Sequence, residues 1–209
     1  MQQQTKANLW GTATPNKKIT VTTGWNGKQY VATADKNGAW KLSVSTPEAG
    51  GPYSITFNDG SKKTLNNILI GELWLCSGQS NMEMPMKGFK NQPVENANMD
   101  ILRSKNPNIR LFTVKRTSTF TPQTDVTGTW KEATPVNVRD FSATAYYFGR
   151  LINEILDVPV GFPALLWSTA MGTGMSLRRM ARIILQKPQR MWENCFKRIY
   201  KKGAEKLLF

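Results

Sequence analysis

Histidine is absent from all 209 residues. That absence removes both the commonest metal ligand and the side chain that most often serves as general base at neutral pH. Cysteine is nearly absent as well. Cys76 sits in an apolar run and Cys195 in a basic stretch, so neither a disulfide framework nor a zinc site is expected. No stretch approaches the about 18 consecutive apolar residues that a membrane-spanning helix needs. The longest apolar stretches, Ile68 to Leu75 and Phe162 to Trp167, are broken within a few positions. Met1 to Ala7 is polar with no apolar segment behind it, so no secretory signal can be read there. Carboxylates are scarce: 14 Asp and Glu face 28 Lys and Arg, a formal net charge of +14.

With 40% hydrophobic and 20% charged residues, the chain has the composition of a globular protein, long enough for one domain or two small ones. Its charge would ordinarily point to nucleic acid or an anionic surface. The distribution argues otherwise, because much of the excess lies between Arg178 and Lys206, opposed only by Glu193 and Glu205. Residues 163–209 therefore read as a divergent basic tail. Within it Trp192, Phe196 and Tyr200 recur every four residues, which marks a helix face rather than a recognition motif. Salt-sensitive adhesion to polyanions fits this tail, and specific nucleic-acid binding does not.

From Ala7 to about Ile70 the pattern is one of short alternating segments: Ile19 to Thr23, Gln29 to Ala34, Trp40 to Val44 and Tyr53 to Phe57. These predict strands. Asn26-Gly27, Asn37-Gly38 and Asp59-Gly60 supply residues that tolerate the positive φ of tight hairpin turns. The expectation for residues 1–68 is an antiparallel β-sandwich of jelly-roll or immunoglobulin-like type. Trp10, Trp25, Trp40 and Tyr53 are candidate core anchors or sugar-stacking platforms, with core packing favoured because strand aromatics usually bury.

At Leu69 the texture changes. Leu69 to Cys76 is almost continuously apolar, as a strand covered on both faces should be, and predicts the first strand of an α/β domain over residues 69–162. Ile109 to Val114 reads as another strand, and Phe141 to Leu156 as a helix that ends before Val158-Pro159-Val160-Gly161.

The run opens into the small polar turn Ser77-Gly78-Gln79-Ser80-Asn81. A turn there delivers a side chain to the carboxyl end of a strand, where α/β sheets bind ligands. A serine hydroxyl needs a general base and amide donors aimed at the developing oxyanion before it can act as a nucleophile. Gly78 permits a close bend, Ser80 presents the hydroxyl, and its own N–H is a candidate oxyanion donor. The four-residue motif alone fits a helix-capping serine better than a nucleophile.

The wider block, Ile70-Gly71-Glu72-Leu73-Trp74-Leu75-Cys76-Ser77-Gly78-Gln79-Ser80-Asn81-Met82, closely resembles the nucleophile block of the sialate O-acetylesterase family, in the SGNH (GDSL-like) hydrolase superfamily. The resemblance continues at Trp10 to Ala13, Ala49 to Tyr53, Phe141 to Gly149 and Val158 to Gly161. It implies an α/β protein, with an amino-terminal antiparallel β-sandwich followed by a partial flavodoxin-like SGNH hydrolase domain. It also implies removal of acetyl esters from sialic acid or related glycans, with no cofactor. By the same resemblance Ser80 is the nucleophile, and Gly78, Gln79, Asn81 and Gly172 are candidates for oxyanion or substrate binding. Gln79 and Asn81 are read mainly as braces of the loop.

The departures from the family pattern are specific. Where its second block has Trp-Gly-Gly-Thr, this chain has Trp167 to Gly174, a distant echo. The later asparagine loop and the Asp-x-x-His block have no counterpart. The implied expectation is a chain truncated at both ends and catalytically impaired; the alternative is a carbohydrate-binding or interaction module without turnover. Glu72 and Glu83 are weak acid/base candidates, and Asp125, Asp140 and Asp157 read as surface groups or caps. The family suggests a periplasmic or secreted location. Oligomeric state cannot be read from the sequence.

Overall fold

The structure is a computed structural model in which residues 1–115 and 125–166 are described. Its described residues are mixed α/β, with more strand than helix, and form two compact units, the first Met1–Glu72 and the second beginning at Leu73. The first unit thus reaches past the boundary at residue 68 read from the sequence.

The first unit is built from β1 (Lys6–Thr12), β2 (Lys18–Thr23), β3 (Gln29–Thr33), β4 (Ala39–Ser45), β5 (Gly50–Asn58) and β6 (Lys62–Ile70). All its strand pairs are antiparallel: β1 with β4 in one sheet, and β3-β2-β5-β6 in the other. Alternation decides which side chains face inward. Ile19, Val21, Ala34 and Ile55 are buried, with Leu9, Leu42, Trp40, Trp25 and Phe57 packed against them, so residues from both sheets share one core. Gly27, Gly38 and Gly60 all have positive φ. At Gly38 (φ 81°) there is a second demand, because a Cβ would run into the carbonyl oxygen of Ala13.

Two readings change here. Leu69 and Ile70 end β6, and the apolar run is not one strand: β7 (Glu72–Leu73) and β8 (Cys76–Gly78) are separate short segments. Trp10 is not a core anchor. It is 46% exposed, whereas Trp25 meets Tyr53 edge-on at 6.0 Å and Trp40 lies 5.8 Å from Phe57.

Glu72 is buried and accepts from Nε2 of Gln3 at 2.8 Å and from Nε2 of Gln2 at 3.2 Å. With the Gln3 N–H bonded to the Gly71 carbonyl and the Gly71 N–H to that of Met1, it docks the first residues onto the end of β6.

The second unit continues from β8 into α1 (Ser80–Glu83), α2 (Ala97–Leu102), β9 (Asn106–Thr113), β10 (Trp130–Ala133), α3 (Pro135–Arg139), α4 (Ala143–Leu156) and β11 (Val160–Leu166). β11 runs parallel to both β8 and β9, and β10 pairs antiparallel with β9. The parallel arrangement follows from chain economy, since β9 and β11 are separated by enough chain for a crossover containing α4. β11 runs through Leu166, so the tail read as starting at residue 163 begins with residues that complete a strand. The core gathers Ile109, Leu111, Val138, Tyr146, Ile152, Leu156, Val160 and Phe162. Along α4 the buried Ala145, Gly149, Ile152 and Leu156 recur at helical spacing.

Asp100 of α2 ties that helix to α4. It accepts from Arg150 at 2.7 Å and from the Tyr147 hydroxyl at 2.7 Å, bonds that hold its carboxyl below the usual carboxylate range. A depressed native pKa means stability that is complete above the unfolded value near 3.8 and lost as pH falls through the native one. Asp100→Asn is therefore expected to cost roughly 1 kcal/mol near neutrality, a modest figure because Arg150 is partly solvated. The difference in urea midpoint between wild type and variant should shrink at pH 3 compared with pH 6. An equal gap at both pH values would remove the ion pair as its cause.

Candidate active site

The carboxyl end of β8 is held by β11 in the register Ala164↔Cys76, Leu165↔Ser77 and Leu166↔Gly78. The chain then leaves the sheet. Gln79, at φ −99° and ψ −133°, precedes α1, and its carbonyl accepts from the N–H groups of Met82 and Glu83 at 3.0 Å each. Gly78 needs no unusual φ. Its requirement is space, because a Cβ there would stand 3.1 Å from the Cβ of Met82 as α1 folds back over the strand end.

Gln79, Ser80 and Asn81 are exposed. The Ser80 carbonyl accepts from the Met84 N–H at 3.0 Å. Among the described residues, neither the Ser80 hydroxyl nor its N–H has a hydrogen-bond partner. The first amides of a helix have no intrahelical acceptor. Ser80 thus stands exposed just past the carboxyl end of β8, which pairs in parallel with β11.

The turn is clamped from one side by the start of α4. The Ala143 N–H donates to the Met84 carbonyl at 2.8 Å and the Met86 N–H to the Phe141 carbonyl at 2.9 Å. Thr144 Oγ1 donates to the Asn81 carbonyl at 3.0 Å. Ser142, buried, caps α4 by accepting from the Ala145 N–H at 3.3 Å while its hydroxyl donates to Met82 Sδ at 3.2 Å. Sequence reading treated Phe141 to Leu156 as a helix and missed that its first turn positions α1. The signal was present: a serine directly before a periodic apolar segment is an N-cap. The bond to Asn81 is made to its main-chain carbonyl, which any residue could supply, and the residue is exposed.

The carboxylates are engaged elsewhere. Asp140 pairs with Lys87 at 2.6 Å, which holds its carboxyl below the usual range. Asp157 ends α4 in the left-handed region at φ 53°, and Asp125 accepts from the Val126 N–H at 2.8 Å. Glu83 lies in the first turn of α1. Among the described residues no three His, Cys, Asp or Glu side chains come together to hold a metal ion, and no helix is long and apolar enough to cross a membrane. Gly172 lies outside the described residues.

Cys76 is the other nucleophilic atom near this turn, and burial disarms it. Desolvation pushes its thiol up to about 12, and its Sγ points back to the Trp74 carbonyl at 3.8 Å. Thiolate is the reactive species. In a Cys195→Ser background, a disulfide-exchange reagent at pH 8 is expected to leave Cys76 unmodified until denaturant is added. Stoichiometric labelling of the native protein would contradict the burial.

No family model matches the chain. Human sialate O-acetylesterase is 26% identical over 193 residues, covering 82% of this chain and 36% of the human protein. The rat sialate O-acetylesterase is also 26% identical, over 178 residues, with 77% and 32% covered. The chain thus spans about a third of the length of the curated relatives it matches. A carbohydrate acetylesterase from Xanthomonas citri has a solved structure similar to this one, with a TM-score of 0.74 and 30% identity across 80% of this chain and 38% of that one.

Proposed function

Because the chain belongs to the sialate O-acetylesterase family, we propose that it is the nucleophile-bearing part of a carbohydrate acetylesterase, in which Ser80 attacks acetyl esters of sialic acid or related glycans. The observation that carries this reading is the exposed Ser80, with hydroxyl and N–H both unclaimed among the described residues, just past the carboxyl end of a strand that pairs in parallel with β11. Ser80 Oγ bonds to the acetyl carbonyl carbon, and the carbonyl oxygen becomes an oxyanion within reach of the Ser80 N–H. Breaking the ester C–O bond then leaves acetyl on Ser80 and requires a proton for the departing sugar oxygen. Water completes the cycle by releasing acetate. Gly78 lets the turn close, Gln79 and Asn81 present their amides to substrate, and Gly172 is the candidate for a second oxyanion donor. No cofactor enters this chemistry.

The proton must move through a base, and these 209 residues contain no histidine. The base is therefore a different group or lies outside them, and turnover by this chain alone is expected to be impaired. That same observation favours the second reading, a glycan-binding module without turnover. In structural terms, the two antiparallel sheets support a sandwich, and the parallel β8, β9 and β11 with α4 support the beginning of a flavodoxin-like domain. A periplasmic or secreted location is part of the same proposal.

The test is hydrolysis of a chromogenic acetyl ester and of an O-acetylated sialic acid by the chain beside Ser80→Ala. Turnover more than tenfold above the variant makes Ser80 the nucleophile with a base other than histidine. Equal rates mean that the chain alone lacks a working base, and the comparison is then repeated with added imidazole.

A further inference from the structure

The sheet β1–β4 has one face in the core and one in solvent. The register pairs Lys6 with Ser45, Asn8 with Ser43, Trp10 with Lys41 and Thr12 with Ala39, and opposed residues in an antiparallel pair point to the same side. The intervening Ala7, Leu9, Leu42 and Val44 are wholly or partly buried, so the face carrying Trp10 is the outward one. Every other side chain on that face is small or polar. A tryptophan breaks the alternation that the rest of the pair obeys, and it remains 46% exposed. Its aromatic relatives in this unit are all packed: Trp25 and Trp40 lie against the core and Tyr53 against Trp25.

The surroundings of Trp10 carry charge of one sign. Lys41 is its cross-strand partner, and Lys6 lies four residues along β1, about 13 Å away at strand rise. There is no carboxylate on the face, and neither lysine has an ion-pair partner among the described residues. Between them, the Ser43 hydroxyl donates to Asn8 Oδ1 at 2.5 Å and fixes the orientation of that amide. The face therefore holds a flat apolar plate, an ammonium group beside it, a second farther along, and oriented hydroxyl and amide groups between.

We propose that this face is an ancillary binding site for an acidic glycan, separate from Ser80. A pyranose ring stacks its C–H face on the Trp10 indole, and its carboxylate meets Lys41. Aromatic side chains suit such a partner because they supply apolar area at low entropic cost and tolerate polar groups around their rim. The choice of a glycan rests on the acetylesterase reading, whereas the acidity follows from the lysines alone. Such a site would hold the chain on sialylated surfaces whether or not Ser80 turns substrate over.

The test uses the full chain carrying Ser80→Ala, so that binding is read without turnover. It is titrated with sialyllactose and with lactose by calorimetry at physiological salt. Sialyllactose is expected to bind roughly tenfold more tightly than lactose, and Trp10→Ala to weaken it by roughly tenfold, the size of one stacking contact. Trp10→Phe should retain most of the affinity, and Lys41→Ala should bring sialyllactose down to the lactose level. Unchanged binding in Trp10→Ala would overturn the proposal and assign the attraction to basic residues elsewhere. Equal binding of both sugars, or of neither, would overturn it too. None of these outcomes touches the acetylesterase reading, which the ester assay decides separately.

Discussion

Gly149→Ala is expected to destabilise the second unit by about 1–3 kcal/mol, although the exchange of glycine for alanine inside a helix ordinarily stabilises by about 1 kcal/mol. Two opposing effects meet at this position. Gly149 lies well inside α4 with no positive φ, so its backbone has no need of glycine. What it faces is Phe162 of β11. A Cβ at position 149 would come within 2.9 Å of the Phe162 Cδ2 and nearer still to Cε2 and Cζ. Phe162 is fully buried, with Phe148 edge-on at 6.3 Å, so the ring has no free volume to move into. Overpacking therefore outweighs propensity. The measurement is the urea midpoint of Gly149→Ala, Phe162→Leu and the double variant. Each single change should lower it, and the double should be more stable than the sum predicts by about 1 kcal/mol or more, because the smaller side chain admits the new methyl. A Gly149→Ala protein more stable than wild type would show that helix and strand can part without cost.

This contact also marks where sequence reasoning stops. Four strands of the first unit and the helix ending at Leu156 were legible, because alternation and helical spacing are local signals. β10 and the short helices were not, being too brief for a period to emerge. The run from Leu69 to Cys76 misled for a different reason. Its hydrophobicity is continuous, but its first residues complete β6 and its last begin β8, so one composition serves two sheets. Ser80 and its turn were recognisable from residue type and order. The clamp on that turn was not, because Ser142 and Thr144 lie some 60 positions away in sequence and nothing local announces their partners. The same limit applies to Trp10: its residue type was legible as either core or platform, and only the strand register separates the two.

Imidazole is expected to give this chain a Ser80-dependent esterase activity above that of the chain alone. The positioned acid and base of a serine hydrolase contribute on the order of 10²–10⁴-fold in rate. A chain of 209 residues with no histidine forfeits that part while retaining an exposed serine in a clamped turn. Small free bases can occupy the space that a missing side chain leaves, provided the nucleophile itself remains in place. Here the clamp argues that it does, because the Asn81, Met82 and Met84 positions are each held by bonds to the first turn of α4. The rate with an acetyl ester is measured against imidazole concentration for wild type and Ser80→Ala, the variant giving the uncatalysed reaction with imidazole itself. Wild type should rise above the variant by several-fold and follow the unprotonated fraction of imidazole, with a midpoint near its pKa of about 7 rather than near that of any group on the chain. Acetyl found on Ser80 by mass spectrometry would identify the intermediate. Identical rates at every concentration would remove Ser80 as the nucleophile and leave glycan binding as the function to pursue. A wild-type excess that is large without imidazole would instead locate a working base within these 209 residues, and would end the argument from the missing histidine.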